Sequence, residues 1–278
     1  MLYLFFFAAG LLAYGYYAYR GLVEKLMKPA PNYPDKTRVL AHKKIVVCAG
    51  DSITHGNISH DWVSDLAKQN PDYQFFNAGK NADLSFTLLR RLDDVIAVQP
   101  HYINLLIGGN DVNFIMGNKN NYYDLNKVTR NDQPSLQTYT QNLTAIVQRL
   151  KSETSATISL MSFPILSEDL SHPVNQMADT YNEAVKKIAQ QEGVIYLPLR
   201  EKQKEFLKAS GVVSKTRFED TDWLIRKSGL AHHIFGTDWD TITRQNGNLL
   251  TFDNLHFNSV GAGMIQEMVE SVLKNESL

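Results

Sequence analysis

The chain has 278 residues, of which 44% are hydrophobic, enough to bury the core of a single α/β domain. The formal net charge is −1, and no stretch concentrates Lys and Arg, which argues against a nucleic-acid partner. Cys48 is the only cysteine, so an intramolecular disulfide is excluded, and its apolar neighbours predict a buried structural thiol.

The first segment of the chain is apolar. Met1–Tyr19 contains no charged side chain and is followed by Arg20 and two lysines. Its length suffices for one bilayer span, and basic residues after the apolar stretch favour an uncleaved anchor over a signal peptide. We therefore expect residues 1–20 to be a membrane anchor, with membrane association through residues 2–19. The alternative is an apolar N-terminal helix packed on the fold, and the side of the membrane stays open.

A proline-rich stretch follows. Pro29, Pro31 and Pro34 lie among polar residues, a composition typical of a connecting segment. We expect residues 21–38 to be a linker and residues 39–278 to be the folded domain.

Short apolar segments alternate with amphipathic ones in this domain. This alternation predicts an α/β fold in which helices cover both faces of a five-stranded parallel sheet. Ligands of such sheets bind at the carboxyl ends of the strands, so functional residues should directly follow strands. The predicted strands are Lys44–Ala49, Tyr73–Asn77, Tyr102–Ile107, Thr157–Ser162 and Val194–Pro198, and the predicted helices are Asp61–Gln69, Ser85–Val98, Leu136–Ser152 and Val174–Gln191.

Two insertions interrupt the alternation, at residues 112–133 and 201–250. Their length and position predict that they shape the substrate site. The second is rich in large apolar side chains, which indicates a cap, a lid or a membrane-facing surface, or else additional packed helices. These side chains are Phe218, Trp223, Leu224, Ile234, Phe235 and Trp239.

A serine follows the first predicted strand, in the sequence Gly50-Asp51-Ser52. A strand-to-helix turn with a nearby glycine exposes the hydroxyl, although Asp and Ser also favour turns and helix caps for structural reasons. The G-x-S-x-G elbow of α/β-hydrolases is absent, so a different serine-hydrolase scaffold is needed.

Near the other end of the chain, Asp253 precedes His256 by three positions. This spacing lets the carboxylate bind one imidazole nitrogen while the other faces a serine. In that arrangement His256 acts as general base toward Ser52, and Asp253 fixes the tautomer of the imidazole.

Candidate oxyanion donors follow the second and third strands. The N–H of Gly79, the side-chain amide of Asn110 and the N–H of Ser52 are placed at the carboxyl edge of the sheet, where donors stabilise a developing oxyanion. Three further residues beside these motifs are candidate pocket residues: Asp51, His55 and Asp111.

Taken in order, four blocks resemble those of the SGNH/GDSL hydrolase family. They are Gly-Asp-Ser at 50–52, Gly79, Gly-x-Asn-Asp at 108–111 and Asp-x-x-His at 253–256, and the resemblance extends from residue 44 to about residue 273. It implies a flavodoxin-like three-layer α/β/α sandwich. It also implies Ser52 as nucleophile, Asp253 and His256 as its partners, and Ser52, Gly79 and Asn110 as the oxyanion hole.

The implied function is a serine ester hydrolase that forms an acyl-enzyme at Ser52 and acts on a small-molecule or lipid-like ester. An acyltransferase or a carbohydrate O-acetylesterase using the same triad is the alternative, and a non-catalytic binding module would leave these blocks unexplained. No cofactor is expected. A metal site is not expected either, because the chain lacks H-E-x-x-H and a cysteine pair, and His232 and His233 are adjacent without a suitably spaced third ligand.

Overall fold

A single parallel sheet organises the domain. The computed structural model describes Tyr17 and residues 20–117, 119–132 and 134–274. Five parallel strands are hydrogen-bonded in the order β2-β1-β3-β4-β5, the order of flavodoxin-like sheets, which confirms the predicted five-stranded parallel sheet. The strands are β1 (Lys44–Gly50), β2 (Tyr73–Gly79), β3 (Tyr102–Leu106), β4 (Thr157–Met161) and β5 (Ile195–Leu197).

Helices surround this sheet in two groups. Helix α13 contacts both α3 and α10, whereas α4, α5, α6, α8 and α9 form a second contacting group. The helices are α1 (residues 20–26), α2 (Ser52–His55), α3 (Trp62–Gln69), α4 (Ser85–Arg90), α5 (Leu92–Ile96), α6 (Gly109–Met116), α7 (Lys119–Asp124), α8 (Leu136–Glu153), α9 (Pro173–Glu192), α10 (Leu199–Ser210), α11 (Thr221–His233), α12 (Trp239–Asn246) and α13 (Ser259–Lys274).

The order of the strands explains the two groups. The crossover from β1 to β2 runs in one direction along the sheet. The crossovers from β2 to β3, from β3 to β4 and from β4 to β5 run in the opposite direction. Because such crossovers are right-handed, the first places α3 on one face, and the later ones place α4, α5, α8 and α9 on the opposite face. The strand β1 lies between both layers, and its residues 46–49 are fully buried.

The register of the central strands aligns their carboxyl ends. Gly50, the last residue of β1, pairs with Gly79 of β2 on one side and with Leu106 of β3 on the other. The three loops that follow these strands therefore start at the same level on one edge of the sheet. They carry the Gly-Asp-Ser turn, residues 80–84 and the start of α6.

The predicted anchor, residues 1–20, lies outside the described residues except for Tyr17 and Arg20. Among the helices of the described residues, none combines the length and the apolar character needed to cross a bilayer.

The segment predicted as a linker is partly bound to the domain, through residues 26–33, which we call the N-terminal strap. The carbonyl of Leu26 accepts a hydrogen bond from the side-chain amide of Asn81 (2.9 Å), and the carbonyl of Lys28 lies 2.8 Å from Nε2 of His55. The main-chain carbonyls of the strap thus find donors on the loops that follow β1 and β2, so this part of the predicted linker is held against the domain.

Both predicted insertions are largely helical. The first contains the end of α6 and all of α7, and the second contains most of α10, a 3₁₀ helix at Phe218–Asp220, and helices α11 and α12. The predicted helix over residues 85–98 divides into α4 and α5, because Arg91 departs from helical backbone angles (φ −114°, ψ 18°).

Candidate active site

The turn after β1 presents Ser52 at the start of a helix. Asp51 caps α2, and its Oδ1 accepts the N–H of Ile53 (3.0 Å). Ser52 is the first residue of this helix, so its own N–H has no acceptor within the helix. Its side chain is only 5% exposed.

A tight turn holds Asp253 and His256 together. Oδ1 of Asp253 accepts the N–H groups of Leu255 (3.0 Å) and His256 (2.7 Å), while Oδ2 lies 2.7 Å from Nδ1 of His256. The turn requires Asn254 in the left-handed region (φ 76°), which asparagine tolerates better than most residues. The carboxylate thus fixes both the backbone and the ring of His256.

The histidine connects this turn to the serine. Nε2 of His256 lies 2.8 Å from Oγ of Ser52, although the two residues are 204 positions apart in the chain. With Nδ1 facing a carboxylate, the neutral imidazole carries its proton on Nδ1, and Nε2 is left to accept the proton of the hydroxyl. The structure therefore brings Ser52, His256 and Asp253 into one continuous hydrogen-bonded chain.

Two carboxylates set the protonation of His256. Burial alone lowers the pKa of His256, but the charge and hydrogen bond of Asp253, with a further contribution from Asp51, outweigh burial and raise that pKa above its ordinary value. Burial raises the pKa of Asp51 itself to about 6. The imidazolium form is stabilised in this site, as a general base requires after it takes up a proton.

Gly79 does not offer its N–H to the serine. This N–H donates to Oδ1 of Asn77 (2.9 Å), so the prediction of Gly79 as an oxyanion donor needs correction. Packing permits only glycine at this position, because a Cβ there would lie 2.2 Å from the backbone nitrogen of His55. Gly79 lets helix α2 approach the end of β2.

Ala82, in the same loop, has an N–H group available as a donor, the property that the sequence predicts for Gly79. It adopts φ 58°, an uncommon value for a residue with a Cβ, and its N–H makes no hydrogen bond to any of the described residues. The next carbonyl, that of Asp83, accepts the side-chain amide of Asn110 (3.0 Å), so this loop lies beside Asn110. No feature of the sequence Lys80–Asp83 indicated this conformation.

Asn110 lies between the loops that follow β1 and β2. Its Nδ2 donates to Oδ2 of Asp51 (3.2 Å) and to the carbonyl of Asp83, and its Oδ1 accepts the hydroxyl of Tyr122 (2.8 Å). The hydrogen bond from Tyr122 on α7 therefore fixes the orientation of the Asn110 amide, with Nδ2 directed toward Asp51 and Asp83. The bond to Asp51 is the longest of the three and is the one most readily exchanged for a substrate oxygen.

Two predicted pocket residues have structural partners instead. The carboxylate of Asp111 accepts both the N–H (2.9 Å) and the hydroxyl (2.6 Å) of Ser85 at the start of α4, and burial raises its pKa to about 7. His55 binds the carbonyl of Lys28 in the N-terminal strap, and burial lowers its pKa, which favours the neutral ring. Of the three predicted pocket residues, Asp51 is the one whose side chain is hydrogen-bonded to Asn110.

Within the described parts of the chain, no group of three or more His, Cys, Asp or Glu side chains is arranged to hold a metal ion.

A family model described as the GDSL-like lipase/acylhydrolase family matches residues 48–263. The chain belongs to this family. Among curated proteins no match to the chain is found.

Solved structures with the same fold include several esterases. A variant of an acetyl xylan esterase from Geobacillus stearothermophilus is 18% identical, with a TM-score of 0.59, over 84% of this chain and 96% of that one. LAE5, an alpha/beta hydrolase enzyme from the metagenome of Lake Arreo, Spain, is 17% identical, with a TM-score of 0.57, over 86% and 99% of the two chains. At these identities the likeness concerns the fold.

In this GDSL-like protein, Glu168 fixes the loop that leads to Asp253. Its Oε1 accepts the N–H groups of Leu250 (2.8 Å) and Thr251 (2.7 Å) and the hydroxyl of Thr251 (3.1 Å), and its Oε2 accepts the N–H of Leu249 (2.8 Å). Glu168 is only 6% exposed and follows β4, so it connects the sheet to the loop before the catalytic turn. The motif blocks did not point to Glu168, because its role depends on a contact distant in sequence.

Replacing Gly79 by Ala tests the correction at that position. The added Cβ would collide with the backbone of α2, so we expect a loss of about 1–3 kcal/mol in the free energy of unfolding. Denaturant unfolding measures this loss, and Gly263→Ala is the matched control, because Gly263 has open space around it and, like Gly79, no positive φ. Equal losses in the two variants would contradict the packing role.

The substitution Glu168→Gln replaces one acceptor oxygen by a donor that faces an N–H group. We expect kcat to fall while KM changes little, because the loop before Asp253 loses its fixed position. The neighbouring Asp169→Asn is the control, since Asp169 is exposed and binds only Ser171 locally. Rates are normalised to active sites titrated with a fluorophosphonate; an unchanged kcat per titrated site would refute this positioning role.

Proposed function

We propose that the protein is a serine ester hydrolase that cleaves carboxylic acyl esters through an acyl-enzyme at Ser52. The observation that carries this proposal is the continuous hydrogen-bonded chain from Asp253 through His256 to the hydroxyl of Ser52. The membership of the chain in the GDSL-like lipase/acylhydrolase family supports the same reaction class.

In the proposed reaction, Nε2 of His256 takes the proton of Ser52 as Oγ attacks the carbonyl carbon of the ester. The imidazolium, stabilised by Asp253, then protonates the departing alcohol oxygen as the tetrahedral intermediate collapses to the acyl-enzyme. Water then attacks the acyl carbonyl carbon from the same face and gives its proton to Nε2. The second tetrahedral intermediate collapses by breaking the bond to Oγ, which takes back the proton from Nε2, and the acid leaves. No residue outside the triad has to move a proton.

The oxyanion of this intermediate needs donors beside Oγ. We assign the N–H groups of Ser52 and Ala82 and the amide of Asn110, because the two N–H groups lack other partners among the described residues and Asn110 lies against the loop of Ala82. A single donor of this kind typically lowers the barrier by about 3 kcal/mol.

A carbohydrate O-acetylesterase is the second candidate within this class. Structural neighbours include acetyl xylan esterases, and catalytic mutants of the Geobacillus stearothermophilus enzyme replace a serine, an aspartate and a histidine, the aspartate lying three positions before the histidine. The same spacing separates Asp253 from His256. The small exposure of Ser52 and His256, 5% each, also favours a short acyl group.

Hydrolysis of p-nitrophenyl esters from acetate to palmitate tests the proposal. We expect turnover by the wild-type chain with a preference for short acyl groups, and a loss of roughly 10⁴-fold or more in Ser52→Ala. Ser59→Ala is a matched control, because Ser59 is equally buried but bonds only the backbone of Phe257. Equal rates in wild type and Ser52→Ala would refute the mechanism, and a preference for palmitate would refute the short acyl group.

Activity should fall as the pH is lowered, because only neutral His256 accepts the serine proton. Since the pKa of His256 is raised, kcat/KM should fall to half at a pH above the value of about 6.5 typical of histidine. In Asp51→Asn the midpoint should move to lower pH, because Asp51 contributes to raising that pKa. A midpoint that stays in place in Asp51→Asn, or a rate that is flat from mildly acidic to neutral pH, would contradict this assignment.

A further inference from the structure

Helix α11 exposes an apolar stripe on its outer face. Trp223 is 65% exposed, Leu230 is 50% exposed and Ile234 is 59% exposed. Their spacings of seven and four residues place them within about 40° of one another around the helix. Arg226 and Lys227 are also exposed and lie on either side of this stripe. Large apolar side chains seldom form such a stripe on a surface that faces only water.

The first turn of α11 is attached to the side of the active site that holds Asn110. Oδ1 of Asp222 accepts the side-chain amide of Asn121 (2.6 Å), and the next residue, Tyr122, binds Oδ1 of Asn110. The acidic residue closest to the stripe is therefore already engaged, and Trp223 follows it directly.

The last turn of α11 is attached to the side that holds the histidine. His232 stacks on Trp239 (3.8 Å between ring centroids), Trp239 stacks on Phe252 (4.2 Å), and Phe252 stacks on His256 (5.9 Å). The first and last turns of α11 are thus connected through intermediate side chains to Asn110 and to His256, and the apolar stripe of the helix is exposed.

The end of α11 also adjoins the N-terminal part of the chain. Asn57 donates its amide to the carbonyl of Leu26 in the N-terminal strap (2.7 Å). Burial lowers the pKa of His233 in the last turn of α11, and the charges of His232 and Lys25 add to this lowering. Lys25 is exposed.

We propose that the outer face of α11 binds the surface of a bilayer that contains anionic phospholipid. An apolar stripe that includes Trp, with Arg and Lys on its two sides, is typical of a helix lying in the membrane interface. The basic side chains Arg226 and Lys227, both exposed, complement the negative lipid head groups, and the ammonium of Lys227 also donates to Oδ1 of Asn246 (3.2 Å). Phe235, which is 74% exposed, extends the apolar surface beyond the last turn.

A second copy of the chain is the less suitable occupant. A stable protein interface buries about 800 Å² on each partner, whereas the stripe comprises a few side chains on one helix. Pairing the same face of two copies would also bring Arg226 and Lys227 close to their own counterparts. A bilayer meets neither difficulty.

Tryptophan fluorescence provides a specific test, because Trp223 is exposed whereas Trp62 and Trp239 are buried (1% and 7% exposed). The full chain is mixed with vesicles of phosphatidylcholine and phosphatidylglycerol whose acyl chains carry bromine, a collisional quencher. We expect the emission of Trp223 to be quenched by the brominated lipid and shielded from aqueous acrylamide. Trp223→Phe should abolish both effects.

Two variants locate the effect on the stripe. Leu230→Ser combined with Ile234→Ser should lose most of the quenching, and Arg226→Glu combined with Lys227→Glu should raise the fraction of phosphatidylglycerol needed for it. Val213→Ser is the control, because Val213 is 84% exposed and lies in a loop outside α11. Hydrolysis of p-nitrophenyl acetate in solution should be unchanged in all of them, which separates this test from that of the esterase.

Three results would overturn the proposal. One is vesicle binding that leaves Trp223 open to acrylamide and unaffected by bromine, which would assign binding to another part of the chain. Another is equal quenching with vesicles of phosphatidylcholine alone, which would remove the role of the basic side chains. The third is shielding of Trp223 that depends on protein concentration without lipid, which would assign the stripe to a second copy.

Discussion

The approach of helix α2 to the end of the sheet depends on two glycines that face each other across β1 and β2. A Cβ on Gly50 would lie 2.3 Å from the carbonyl oxygen of Leu106, and one on Gly79 would lie 2.2 Å from the nitrogen of His55. Without side chains at these positions, the helix that begins with Ser52 sits directly on the strands. Asn110 and His256 in turn contact the start of this helix, through Asp51 and Ser52, so their positions depend on that close approach.

The catalytic edge also concentrates buried carboxylates. Asp51, Asp111 and Asp253 are each less than 4% exposed, and each accepts N–H or O–H donors in place of water. Burial raises the pKa of the first two, whereas Asp253 faces an imidazole that can carry a positive charge. Asp253, the carboxylate that binds the imidazole, thus lies next to the ring of His256, which becomes positively charged when it takes up a proton.

The sequence was sufficient to predict the sheet and to single out Ser52, Asp253 and His256, which the structure brings together, because both depend on short local patterns. Apolar runs mark the five strands, and Ser52, Asp253 and His256 occur in compact motifs directly beyond strands or turns. The donor after β2 was misassigned to Gly79, since glycine is the residue most often expected at such a position. The structure instead gives Ala82 the unusual backbone, supported by neighbours that no local pattern reveals. Glu168 and the N-terminal strap were missed for a related reason: their partners are distant in the chain.

The separation of the serine and histidine along the chain also has a consequence for biosynthesis. Ser52 leaves the ribosome early, whereas His256, 204 residues later, is among the last parts of the domain to be made. The carboxylate of Glu168 likewise cannot form its hydrogen bonds to residues 249–251 until those residues have been synthesised. A nascent chain therefore carries Ser52 without the hydrogen bond to His256 through most of the synthesis of the domain, and that bond forms only after the C-terminal turn has been made.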